Sequence, residues 1–375
     1  MDFALSDEQT MLRDTARRFL EEKAPSSLVR TVMETEAGYD RALWEEIARQ
    51  GWQAVTIPEA FGGAGFSFVE QALLMEEMGR TLFPSPYLSS VVLGAELVLG
   101  AGTEEQKAEL LPGVASGEVL LSVAHLEPGS SWDPGGIAMA ARSDGADLIL
   151  DGTKTCVLDG HSADLLLVAA RTGPHEDVSL VMVPADAPGI ARRRLETMDM
   201  TRPQAEVTFD GVRVPASAIL GEPGAGRGPL AATLTRAVVA LAYEQVGGAQ
   251  RCLDMAVDHA KTRVQFGRPI GSFQAVKHRC ADMLVRVESA RSAAYYAGWA
   301  VASGDEELPI VAPLVKSYCS EAYFFCAAEN IQVHGGIGFT WEHDAHLYFK
   351  RAKTDELLFG SPAEHRGVLA ERLGL

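Results

Sequence analysis

From Pro229 to the C-terminus the sequence keeps a helical period with few breaks, and this limits the possible folds more than any other feature. Three long amphipathic runs, residues 230–263, 272–303 and 309–334, are joined by short turns rich in Gly and Pro. Two shorter runs follow, at 343–356 and 362–375. Long helices on short connections must lie antiparallel, so this part predicts a helix bundle.

The preceding segment has a different texture. Between about 119 and 228 the apolar runs shorten to 148–150, 165–169, 179–183 and 205–209, divided by Gly, Pro and Asp. Such runs without intervening helices predict strands of an antiparallel barrel or sandwich. The first third is helical again. Ser6 with Gln9 and Thr103 with Gln106 form capping boxes, Leu43, Trp44 and Ile47 make an apolar stripe, and Pro112-Gly113 reads as a stop. The expected class is α+β: an N-terminal α-helical domain (1–117), a middle antiparallel β-barrel domain (118–228) and a C-terminal four-helix-bundle domain (229–375).

A chain of 375 residues with 47% hydrophobic content can bury sizeable cores. Its net charge of −18 argues against a nucleic-acid surface, which needs clustered cations. The basic runs Arg192–Arg194 and Lys350-Arg351-Ala352-Lys353 read as solvated faces or phosphate contacts against that total. Five cysteines without a CxxC pair suit a reducing compartment. Residues 1–8 lack a cationic start and apolar core, and no run spans a bilayer, so the expectation is a soluble cytoplasmic protein with no membrane partner. His343-x-x-His346 lacks the third ligand and base of a zinc site, so no metal is expected.

Two runs carry the chemistry. Arg263-Val264-Gln265-Phe266-Gly267-Arg268-Pro269-Ile270 sets an arginine at a helix end before a Phe-Gly turn. The second extends from Gln332 through Gly335-Gly336 to Phe359-Gly360-Ser361, and its glycine pair lets a ligand approach the backbone. With Ile57-Pro58-Glu59-Ala60-Phe61-Gly62-Gly63 and Gly102-Thr103-Glu104-Glu105-Gln106-Lys107, the whole chain resembles the acyl-CoA dehydrogenases in motif order. The resemblance implies FAD as cofactor, an acyl-CoA substrate, an oligomer and an electron-transfer acceptor. It also implies that Arg263, Gln265, Phe266, Gln274, Gln332, Gly335 and Gly336 serve FAD across a subunit interface, the arginine on the pyrophosphate.

Other parts of the pattern are missing. Desaturating a thioester needs a base for the α proton, while the flavin takes a hydride from the β carbon. The family's glutamate place holds Phe359, and its alternative place on the first bundle helix holds Ala237 or a neighbour. The family's Thr-Glu-Pro-Gly and Trp-Ile-Thr flavin contacts read Leu126-Glu127-Pro128-Gly129 and Cys156-Val157-Leu158, and Trp132 replaces a serine.

The preferred expectation is therefore the base-lacking subunit of a heterotetrameric dehydrogenase, of the kind acting on lipid or steroid thioesters. It would complete the FAD site of a homologous subunit. Two alternatives stay open. One is a self-sufficient homo-oligomer using Glu244, seven residues beyond Ala237, which otherwise reads as a packing residue paired with Arg251 or Arg236. The other is a non-catalytic CoA-ester or protein-binding module.

Overall fold

The computed structural model describes residues 5–173 and 177–375; residues 1–4, part of the segment read for a leader, lie outside them. Six helices come first: α1 (Asp7–Lys23), α2 (Ser26–Met33), α3 (Arg41–Arg49), α4 (Phe68–Thr81), α5 (Glu96–Ala101) and α6 (Glu104–Ala115). Eight strands follow: β1 (Leu121–Ala124), β2 (Ala140–Asp144), β3 (Asp147–Leu158), β4 (Leu165–Arg171), β5 (Val178–Pro184), β6 (Ile190–Arg194), β7 (Gln204–Pro215) and β8 (Ile219–Leu220). The rest comprises α7 (Arg227–Thr262), a hairpin of β9 (Val264–Gln265) and β10 (Arg268–Pro269), α8 (Gln274–Ser303), α9 (Leu308–His334), α10 (Ala345–Leu357) and α11 (Pro362–Arg372). The chain divides into two units interleaved in sequence. One holds residues 1–31, 68–83 and 238–375; the other holds 32–67 and 84–237.

In the second unit one sheet runs β6-β7-β3-β2-β4-β5-β8, with β1 joining β4 off this path. The pairings are antiparallel as expected, except that β1 and a single residue of β2 run parallel to β4. Leu148, Leu150, Leu166, Val168, Val181, Val207 and Phe209 form its core. A π-helical stretch, Tyr87–Ala95, packs on β1, where the Ser90 hydroxyl accepts from the Leu121 amide at 3.1 Å.

Both expected capping boxes are present, and Ser361 with Glu364 makes a third. One expectation fails: Pro112 does not stop α6, which continues to Ala115. The carbonyl that proline leaves without its helical partner is that of Ala108, an exposed residue, so the lost bond costs little there.

In the first unit α4 is buried along most of its length and crosses α7 backbone to backbone. A Cβ on Gly247 would collide with the Glu76 carbonyl, and one on Gly79 with the Glu244 carbonyl. The glycine pair 247–248 thus has a packing reason, since Gly248 faces the Tyr323 ring. Gly247→Ala should destabilise the protein by about 1–3 kcal/mol. A denaturation midpoint equal to that of the unaltered protein would contradict this contact.

Candidate functional site

Glu244 lies in an apolar stretch of α7 and is 3% exposed. Its Oε1 accepts from Nη1 of Arg351 on α10 at 2.6 Å, and Arg351 is equally buried. The expected partners are elsewhere. Arg236 meets Glu96 at 2.6 Å, and Arg251 lines a cavity of about 280 Å³ with Arg17, Arg80 and Tyr348. Beside the pair, the Lys316 ammonium donates to the Ser320 hydroxyl (3.1 Å) and to the carbonyls of Asp355 (2.8 Å) and Glu356 (3.0 Å). Burial pulls Lys316 down to about 8. It acts as a cap supplied by α9 for the last turn of α10.

That last turn delivers Phe359. Leu358 is extended, Phe359 takes φ +60° and Gly360 φ +103°, after which Ser361 starts α11. The Phe359 carbonyl accepts from Nε2 of His365 at 2.9 Å, and Phe359 is only 4% exposed. A left-handed phenylalanine costs roughly 1–2 kcal/mol, so the surrounding contacts hold it there. Glu356, the other nearby carboxylate, pairs with Lys353 at 2.9 Å.

The exposed end of the bundle gathers the second group of residues. Phe266 and Gly267 both have positive φ (54° and 78°), which makes the two-residue β9–β10 turn type I′. Phe266 is 91% exposed and meets Phe273 edge-on at 6.0 Å, while Arg268 lies over the same ring. Arg263, Gln265, Gln274, Gln332, Gly335 and Gly336 are exposed as well. Among the described residues the Arg263 guanidinium forms no ion pair. Gly335 has φ +66°, and nothing lies within 4 Å of a Cβ built on it or on Gly336.

In the sheet unit, the loop after β1 is pinned by Glu127. Its carboxylate accepts from the Lys154 ammonium (2.7 Å) and the amides of Ala138 and Met139. Leu126 is buried, and Trp132 tilts onto the buried ring of His125 at 5.5 Å. Cys156 sits at φ +50° in a β3 irregularity, half-buried, followed by buried Val157 and Leu158.

Burial, then the Lys154 charge, pushes the His125 imidazole down to about 3. The folded chain therefore keeps it neutral where the unfolded chain, near 6.5, gains a proton. This contribution is complete above about pH 6.5 and is withdrawn as pH falls toward 3. His125→Leu should flatten the acid limb of a urea-stability profile by about 2 kcal/mol at about pH 5. An acid limb of unchanged slope would contradict it.

Three comparisons bear on this arrangement. The acyl-CoA dehydrogenase N-terminal, middle and C-terminal domain families match residues 6–118, 122–212 and 224–374. The acyl-CoA dehydrogenase IpdE2 of Mycolicibacterium smegmatis is 36% identical over 96% of this chain and 97% of its own. The chain belongs to the acyl-CoA dehydrogenase family.

Solved structures agree with this membership. Butyryl-CoA dehydrogenase from Megasphaera elsdenii is 26% identical, with a TM-score of 0.92 over 100% of both chains. A chain of the ChsE4–ChsE5 complex from Mycobacterium tuberculosis is 29% identical, with a TM-score of 0.91 over 100% of this chain and 99% of that one. Acyl-CoA dehydrogenases are oxidoreductases that bind FAD.

Within this family member the remaining motifs have structural employment. Asp344 is held by Arg30 at 2.8 Å, His346 meets the Trp341 carbonyl, and His343 Nδ1 accepts from the Ala345 amide. Among the described residues no three His, Cys, Asp or Glu side chains are grouped to hold a metal. Arg194 donates to the Thr35, Glu36 and Met33 carbonyls and Arg192 to that of Ala163, so two of the three arginines in the run 192–194 fasten neighbouring backbone. No helix of the described residues is long and apolar enough to cross a membrane. Arg351, expected above on a solvated basic face, is instead buried against Glu244, and Lys316 and Lys154 escaped sequence reading; all three have partners remote in the chain.

Proposed function

We propose that this chain is the base-lacking subunit of a heteromeric, FAD-dependent acyl-CoA dehydrogenase, and that it completes the FAD site of a homologous partner. One observation carries the reading: Phe359, apolar and 4% exposed, fills the turn where the family resemblance puts the glutamate. A phenyl ring accepts no proton. Glu244 does not replace it in this reading, because it is the structural half of a buried ion pair.

Bound FAD supplies a hydride acceptor for the β carbon of an acyl thioester. The bundle end fits a dinucleotide offered from outside: Arg263 is an unspent forked donor for pyrophosphate, Phe266 an open apolar plate, and Gly335–Gly336 a bare stretch of backbone. The loop after β1 does not fit a flavin ring of its own. The Leu126 side chain offers no hydrogen bond, Trp132 occupies space beside His125, and Cys156 is no stacking plate. No step of desaturation is assigned to residues of that loop. The two-component ChsE4–ChsE5 complex among the similar structures favours a pair of unlike subunits. A lipid or steroid thioester as substrate, a separate electron-transfer acceptor and a cytoplasmic location complete the reading.

Co-expression with a homologous dehydrogenase subunit tests it. The complex should reduce its flavin with acyl-CoA, and Glu244→Gln in this chain should leave that rate within about two-fold of the original. Loss of turnover by a hundredfold or so in a folded Glu244→Gln complex would make Glu244 the base and overturn the proposal.

A further inference from the structure

Three imidazoles from three segments form a ladder at the exposed end of the bundle. His259, in the last turn of α7, lies 4.2 Å from His334 at the end of α9, and His334 lies 4.3 Å from His343, just before α10. The ladder joins both segments described above: the Arg263 amide donates to the His259 carbonyl at 2.8 Å, and His334 directly precedes Gly335–Gly336.

The hydrogen bonds fix the protonation that the ladder requires. His334 Nδ1–H donates to the Asn330 carbonyl at 2.8 Å. His343 Nδ1 accepts from the Ala345 amide at 3.1 Å, so it carries no proton while it caps the start of α10. A proton there would remove the cap, set a cation at a helix N-terminus and place a charged ring against the edge of the stack.

The surrounding charges point the same way. Arg263 faces His259 from the residue just after α7, and Arg30 faces His343 from α2. His346, beside Lys350 on α10, adds a further basic neighbour. Asp344 alone would favour a charged His343, and Arg30 already holds it at 2.8 Å. Burial first, then the neighbouring rings, keeps His259 and His343 below the usual histidine range.

We propose that His259, His334 and His343 form an acid-opened latch between the end of α7 and the 335–343 segment. At neutral pH the neutral stack holds both segments in register. As pH falls, protonation of His259 and His343 opens it and frees the segment that carries Gly335 and Gly336. The latch belongs to this chain alone; its consequence for FAD rests on the function proposed above.

Amide exchange of residues 335–345 in the full chain, corrected for intrinsic rate, reads the latch directly. Protection should fall about tenfold or more between about pH 7.5 and about pH 5.5. In His343→Asn, whose side-chain oxygen still accepts from Ala345 but takes no proton, it should fall less than about two-fold. His259→Phe keeps a ring in the stack and removes one titrating group, so it should move opening to lower pH even if the first variant folds poorly. Equal acid sensitivity in all three proteins, or none in the original, overturns the latch. If the latch opens while the heteromeric complex retains FAD unchanged, the latch stands and the shared FAD site fails.

Discussion

Glu244→Leu should remove about 3–5 kcal/mol of folding free energy, because it takes from the buried Arg351 guanidinium its carboxylate partner. Each member of the pair is about 97% buried and reaches the other at 2.6 Å, so the lost partner is not replaced by water. Changing both sides, Glu244→Leu with Arg351→Met, removes the buried cation together with its carboxylate. The double variant should recover most of the loss, since buried ion pairs exchange for apolar groups at little net cost. Urea denaturation of the two single variants and the double closes the cycle. If Glu244→Leu costs less than about 1 kcal/mol, the carboxylate is not committed to Arg351 and is free for another task.

Arg263→Ala should weaken FAD retention by the heteromeric complex about ten- to a hundredfold, with little change in the fold of this chain. The magnitude follows from losing charge-assisted, forked hydrogen bonds to a phosphate group, worth about 1.5–3 kcal/mol. Exposed Arg263 has no ion pair to lose among the described residues, so removing it costs little intrinsic stability. Arg263→Lys should recover only part of the affinity, since an ammonium keeps the charge and loses the fork. Flavin released during dialysis, followed by fluorescence, measures both. An unchanged dissociation constant in Arg263→Ala would place the pyrophosphate elsewhere.

Legibility in the sequence followed the range of the interaction. Ser6 with Gln9 and Thr103 with Gln106 were readable because a capping box closes within one turn. The β9–β10 turn was placed by Phe266-Gly267, although positive φ at a phenylalanine was not foreseen. Pro112 misled because its cost depends on whether water reaches the orphaned carbonyl, which is a property of the surface. Phe359 was found by counting back from Gly360-Ser361, yet its burial and left-handed backbone came only with α9–α11 in place. The partner of Glu244 was misread: Arg236 and Arg251 are near in sequence, and Arg351 is 107 residues away. The histidine ladder was invisible for the same reason, since 259, 334 and 343 meet only through the packing of three segments.

The flavin content of this chain purified without any partner tests the central claim most directly. The structure-based account predicts a colourless protein that shows no flavin absorbance and no bleaching on adding acyl-CoA, although it folds and binds a homologous subunit. A yellow preparation with one flavin per chain, reduced by substrate in the absence of a partner, would contradict it.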